Sequence, residues 1–215
     1  MKDIVILGAG GFGREIAWLI EDINSLNRQW NLIGFLDPTG PESSYPGAEI
    51  IGKDDFLESY QHDIWVVVAL GNPLKKEKVV NGISHRNNIH YATLIHPSVS
   101  ISKSVNIDCG VVICAGSILT VDMHIASFVT INLLCTIGHD SEVNEFSSLM
   151  PAVNVSGKVT IGRTVFLGTG VKIIENKRIG DGSIIGAGSV VVDDIPDFCT
   201  AVGVPAKPIK FHSRG

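Results

Sequence analysis

Residues 95–191 read, in blocks of six, IHPSVS ISKSVN IDCGVV ICAGSI LTVDMH IASFVT INLLCT IGHDSE VNEFSS LMPAVN VSGKVT IGRTVF LGTGVK IIENKR IGDGSI IGAGSV V. Every block opens with Ile, Leu or Val, at 17 successive positions from Ile95 to Val191. Neither the 3.6-residue helical period nor the 2-residue strand period produces this spacing. A fixed period of six requires a coil in which each hexapeptide forms one flat side and turns one large aliphatic residue inward. Four residues after each aliphatic position comes a second, smaller inward slot. It holds Val99, Val105, Ser117, Cys135, Ser141, Val153 and their like, with Met123 and Lys177 as larger exceptions. Gly recurs directly after the aliphatic residue, at Gly138, Gly162, Gly168, Gly180 and Gly186. Glycine there is expected to serve tight corners that need unusual backbone angles.

Outward from this run the pattern changes. Asp3–Leu7 reads as a short buried strand, followed by Gly8-Ala9-Gly10-Gly11-Phe12-Gly13 and then by helical spacing from Arg14. Leu32–Leu36 and Ile64–Leu70 are further strands, Lys75–Ser84 has helical character, and Thr39–Gly47 is a Pro-, Ser- and Gly-rich loop. Strands alternating with helices predict a small parallel α/β sheet of the Rossmann type over residues 1–94. The repeat and a C-terminal turn, Gly203-Val204-Pro205-Ala206-Lys207, fill residues 95–215.

Composition narrows the function. The chain has 215 residues and a net charge of −5, with no run of Lys and Arg, which argues against nucleic acid as partner. No apolar run is long enough for a membrane span and the N-terminus shows no signal-peptide pattern, so the expected compartment is cytoplasmic. The four cysteines have no CxxC spacing and read as buried reduced thiols.

Three features bear chemistry. Gly8-x-Gly10-x-x-Gly13, between a strand and a helix, fits a loop whose N–H groups meet a nucleotide diphosphate; the alternative is a turn needing glycine for packing alone. Asp37, at the end of the second strand, is placed to meet a ribose or base. His139-Asp140 lies off the inward positions, where a histidine can act as general base. His124 and His96 compete with it. A zinc site of the γ-carbonic-anhydrase kind needs three ligands, and no third histidine follows His124 and His139 within the repeat.

Taken together and in order, Gly8–Gly13, Phe35-Leu36-Asp37, Ala69-Leu70-Gly71-Asn72, Ile95-His96-Pro97-Ser98, Ile137-Gly138-His139-Asp140 and Gly203–Lys207 resemble bacterial hexapeptide-repeat sugar acetyltransferases of the sialic-acid O-acetyltransferase type. Within them the pattern is most similar to the N-acetyltransferases of the bacillosamine pathway, which act on a UDP-linked 4-amino sugar. The resemblance implies a left-handed parallel β-helix, three hexapeptides per coil, giving between five and six coils. It implies His139 as base, with Asp140 raising its basicity, and a nucleotide-linked amino sugar held by Gly10, Gly11, Phe12, Asp37 and Gly71. It implies acetyl-CoA against Ser148, Gly157, Val204, Pro205 and Lys207, in a groove between subunits of a homotrimer, and no metal. Relatives carry His at the positions of Phe12 and Ser148 and a second acid at that of Pro38. Other readings remain open at this point: sugar O-acetylation, a non-catalytic trimeric scaffold or nucleotide sensor, and a carrier nucleotide of UDP, GDP or dTDP.

Overall fold

The computed structural model describes residues 1–38, 45–53 and 55–213. The first six residues of the loop expected at 39–47 lie outside that description. Strand β1 (Lys2–Leu7) is apolar on both faces and sits at the centre of a five-stranded parallel sheet, ordered β3-β2-β1-β4-β5. Its partners are β2 (Trp30–Leu36), β3 (Ile50–Gly52), β4 (Ile64–Val68) and β5 (Ile89–Tyr91). Helix α1 (Gly11–Leu26) joins β1 to β2 and buries Ile16, Ala17, Leu19, Ile20 and Ile23. A short α2 (Phe56–Ser59) precedes β4, and α3 (Pro73–Ile83) joins β4 to β5. Strand order reverses between β1 and β4, and in open α/β sheets ligands settle beyond the strand ends at such a switch point. Short elements without a long apolar run (β3, α2 and β5) had no clear sequence signal.

The repeat forms seventeen two-residue strands, β6 (Leu94–Ile95) through β22 (Val190–Val191), spaced six residues apart. From β6 to β19 each pairs in parallel with the strand 18 residues on, as Thr136↔Asn154 and Ile137↔Val155 show. Three strands per turn build a three-sided, left-handed parallel β-helix of between five and six coils. The aliphatic series fills its interior: Ile113, Ile125, Ile131, Leu149, Ile161, Leu167, Ile179, Ile185 and Val191 are fully buried in one cluster with the small-slot residues. Because each coil rests only on its neighbours, stability comes from this stacked interior. A hairpin of β23 (Cys199–Gly203) and β24 (Ala206–Phe211) closes the last coil by extending one face.

The recurrent glycines work differently from the expectation. Gly138, Gly162, Gly168, Gly180 and Gly186 are absent from the positive-φ residues. A Cβ at Gly138 would meet Gly157 N at 2.6 Å, and one at Gly168 would meet Ala187 N at 2.6 Å. They are required by the close approach of the next coil. The left-handed corner residue lies two positions further on, in an unbroken six-residue series from Gly110 to Gly188 that includes Asp122, Phe128, Leu134, Asp140, Phe146 and Lys158. One cysteine also departs from its expectation: Cys109 is exposed, while Cys114, Cys135 and Cys199 are buried and all four are free. Burial pushes the Cys114 thiol up to about 12 and that of Cys135 to about 11.

Candidate active site

His139 stands on a corner of the solenoid, between two strands of neighbouring faces. Strand β13 (Thr136–Ile137) ends just before it, and β14 (Glu142–Val143) follows. Asp140 takes the left-handed conformation, φ 57°. Adjacent side chains in extended backbone point apart, but this turn lets them converge: His139 Nδ1 lies 2.7 Å from Asp140 Oδ2. A carboxylate on Nδ1 keeps that nitrogen protonated and leaves Nε2 as the basic atom. The His139 side chain is 57 % exposed, so Nε2 is open to a ligand.

Beneath the ring lies Gly157, one coil on. A Cβ there would sit 2.6 Å from both His139 Cε1 and Nε2. The buried glycine expected against acetyl-CoA is therefore the seat of the imidazole. The Lys158 N–H donates to His139 O at 2.7 Å and fixes the backbone above that seat.

The rival histidines are bound differently. His124 Nε2 faces Asp108 Oδ2 at 3.1 Å. His96 Nε2 faces Asp22 at 3.1 Å, and its Nδ1 accepts from Ser98 N–H at 3.0 Å, so both ring nitrogens are engaged. Asp140 is the carboxylate held through Nδ1; those of His124 and His96 are held through Nε2. Among the described residues no three His, Cys, Asp or Glu side chains converge as a metal-binding group.

The glycine loop resolves into two kinds of glycine. A Cβ at Gly13 would sit 2.0 Å from Gly8 O, and Gly8 itself has φ 106°, so both are dictated by the turn. At Gly10 and Gly11 a Cβ would meet nothing within 4 Å. Packing does not explain those two, and the space above them is open. Gly10 caps α1 with no side-chain hydrogen bond, leaving the first N–H groups of the helix directed at the crest, a natural anion site. Asp37 Oδ2 accepts the Ala9 N–H at 2.7 Å, so this acid braces the loop from the end of β2. Phe12 is half-buried and packs on the core of α1 and the sheet. A cavity of about 350 Å³ opens beside the loop, lined by Gly8, Asp37, Leu70, Lys75 and Lys78. Gly71 closes the crest after β4, and its ideal Cβ lies 4.0 Å from Met150 Cε on the solenoid. Lys75 and Lys78 were not singled out from sequence; their spacing of three on a helix that starts at the crest was the available signal.

Ser148 requires a correction. Expected at the acetyl group, it is 0 % exposed beneath α3 and accepts a hydrogen bond from Lys76 Nζ at 3.1 Å. A hydroxyl sealed in this way does not face a cofactor groove. Lys76 itself was missed. Pro73, Lys76, Val80 and Ile83 form the buried face of α3, and a lysine in that helical series was the readable sign. Val204 stands exposed at the hairpin tip with Pro205, and Lys207 Nζ donates to Asp193 Oδ2 at 2.7 Å.

Comparison with known proteins agrees in both halves. Residues 3–83 match the family described as the PglD N-terminal domain. The chain is similar to the acetyltransferase domain of PglB from Neisseria gonorrhoeae, solved in complex with acetyl coenzyme A: 30 % identity, TM-score 0.89, covering 97 % of this chain and 99 % of that one. It is also similar to a mutant of perosamine N-acetyltransferase from Caulobacter crescentus in complex with CoA and GDP-perosamine: 28 % identity, TM-score 0.85, covering 98 % of each chain. A serine acetyltransferase of Bacillus subtilis is 39 % identical over 83 residues, which is 38 % of this chain and 38 % of that protein. The chain thus spans less than two fifths of the length of that curated relative.

Proposed function

This chain belongs to the hexapeptide-repeat sugar N-acetyltransferases, and on that premise we propose that it moves an acetyl group from acetyl-CoA to the amino group of a nucleotide-linked amino sugar. The observation that carries the reading is the His139–Asp140 pair, with Nδ1 held at 2.7 Å and the ring seated on Gly157. His139 Nε2 takes a proton from the sugar amine as the nitrogen attacks the thioester carbonyl. The carbonyl oxygen gains charge, the C–S bond then breaks, and the departing sulfur takes the proton from His139 Nε2, so CoA leaves as the thiol and the base is restored. With Ser148 sealed under Lys76, stabilising that oxyanion falls to backbone N–H groups of the corners.

The nucleotide diphosphate docks at Gly10 and Gly11, where the open glycines and the uncapped start of α1 supply N–H donors. Beside the loop, the cavity lined by Gly8 and Asp37 receives positive charge from Lys75 and Lys78, while Phe12, on the core of α1, and Gly71, after β4, flank the loop. Acetyl-CoA runs along the solenoid past the His139–Gly157 corner towards the hairpin of Val204, Pro205 and Lys207.

The site needs a second wall. His139 stands on an open corner, and the hollow beside Asp140, about 490 Å³, is bounded by Asp122, His124 and Glu142 of one face only. A second copy of the chain supplies that wall in a homotrimer with sites between subunits. Both substrates are metabolites of the cytoplasm, the compartment we assign to the protein. Among the described residues no helix is long and apolar enough to cross a membrane.

The test is CoA thiol release with acetyl-CoA against UDP-, GDP- and dTDP-linked 4-amino-4,6-dideoxy sugars, with sialic acid and its activated form alongside. Release with one amino sugar names the carrier. Release only with a hydroxyl acceptor replaces N- by O-acetylation. Silence across the panel, together with no acetyl-CoA binding by calorimetry, contradicts the transferase reading.

A further inference from the structure

Helix α3 begins at the crest. Asn72 caps it by accepting the Lys75 N–H at 3.0 Å, Pro73 follows, and Gly71 precedes. One turn in, Lys76 leaves the sheet domain and enters the solenoid face, where it is 2 % exposed. Its Nζ donates to Thr130 Oγ1 at 2.8 Å and to Ser148 Oγ at 3.1 Å. Those two residues are register partners on β12 (Thr130–Ile131) and β15 (Ser148–Leu149), one coil apart. His139 lies midway along the chain between them.

The outward column of this face reads Leu94, Val112, Thr130, Ser148, Phe166, Ile184 at intervals of 18. Its side chains change from apolar to hydroxyl at the two rungs that receive Lys76. Among the described residues no carboxylate is paired with it: Glu77, the next residue, turns to Arg163 at 2.6 Å, and Arg163 lies over the Phe146 ring. Burial of a long cationic side chain against two neutral hydroxyls is costly. An apolar residue of the same length removes the desolvation cost of the amine and leaves two neutral hydroxyls, which are cheaper to bury than a charge. Stability therefore does not account for Lys76.

We propose that Lys76 is a positioning residue of the transferase. It locks the Gly71–Pro73 turn, and with it the nucleotide side of the site, at a fixed height against the coil that carries His139. This rests on the function proposed above for the crest and for His139. Burial lowers the Lys76 amine to about 7, so both protonation states occur near neutrality, and each retains a donor for the two hydroxyls.

The experiment is Lys76→Met in the full chain, read three ways. In steady-state kinetics the variant loses about tenfold in kcat/KM for the nucleotide sugar, chiefly through KM, while KM for acetyl-CoA stays within about twofold. In thermal unfolding at pH 7 its Tm is not lowered. In hydrogen exchange the amides of residues 69–76 exchange faster, and those of the solenoid interior do not. Ser148→Ala, a smaller change, shifts kinetics and exchange in the same direction, and adding it to Lys76→Met causes no further loss. Unchanged sugar KM and unchanged exchange in both variants overturn the proposal, and so does a loss that simply follows a lowered Tm. If Lys76→Met does not fold, Ser148→Ala decides. If the wild-type protein acetylates no nucleotide sugar, the function reading fails by itself, and hydrogen exchange alone decides whether Lys76 holds the turn.

Discussion

The corner at His139 and the junction at Lys76 each set an ionisable side chain on the solenoid, and they treat it in opposite ways. At the corner the group is open to solvent, its partner Asp140 is 2.7 Å away, and the protein supplies a seat rather than a cover. At the junction the group is sealed between two domains and its partners are uncharged hydroxyls. An exposed imidazole with a carboxylate on one nitrogen can trade protons with a substrate. A buried amine without a counter-charge cannot do so freely, and its value lies in geometry. On the function proposed above, chemistry and positioning are divided between two sites on the same coil.

The sharpest way to break this contrast is at the seat of the ring. Gly157→Ala adds a methyl where His139 Cε1 and Nε2 lie at 2.6 Å, so the imidazole must move. A displacement of about 1 Å costs on the order of 10² in turnover, while Tm holds because the position lies outside the stacked interior. Retention of full kcat in this variant refutes the seat.

Next in size is the carboxylate. Asp140→Asn keeps the shape and a hydrogen-bonding oxygen but removes the charge that steadies a protonated His139. The expected loss is roughly tenfold in kcat, below that of a buried triad because the pair is half-exposed. A variant as fast as wild type leaves Asp140 without a role.

The junction predicts a pH effect on stability. The folded state holds the Lys76 amine at about 7, against 10.5 for the free side chain. Between those values the unfolded chain binds more protons, so unfolding free energy rises with pH across that window. Chemical denaturation at pH 7 and pH 9.5 should show wild type gaining stability relative to Lys76→Met. Parallel pH profiles for the two proteins contradict the burial of an unpaired amine.

The smallest expected effect belongs to His124→Ala. Its imidazole is bound to Asp108 through Nε2, on a strand face rather than at a corner, and turnover should stay within about twofold of wild type. A loss comparable to that of Gly157→Ala would erase the distinction between the two histidines.

The two halves were legible to different depths, and the reason is periodicity. In the repeat, the six-residue frame assigns each residue an inward, outward or corner position. It set His139 outside the core and Cys135 inside it, as observed. It did not reveal why glycine follows the aliphatic residue at Gly138, Gly162, Gly168, Gly180 and Gly186, because coil-to-coil approach joins residues a full coil apart. In the sheet domain the long apolar strands and the glycine loop were plain. β3, α2 and β5 were not, since a three-residue strand at a sheet edge carries too few side chains to show a period. Lys76 and Ser148 escaped for a related reason. Lys76 breaks the apolar series of α3, but its partner is not written in that helix, and only docking α3 on the solenoid brings it to Ser148. Asp37 was marked from its place at the end of the second strand, but its bond to Ala9 N–H depends on loop geometry that spacing cannot supply.

Whether His139 takes the proton in acetyl transfer is decided by single-turnover kinetics of His139→Ala with acetyl-CoA and the matched nucleotide sugar. The transfer rate is expected to fall by a factor on the order of 10² to 10⁴, with acetyl-CoA affinity by calorimetry unchanged. Transfer at the wild-type rate, or a fall fully explained by lost acetyl-CoA binding, would contradict that role for His139.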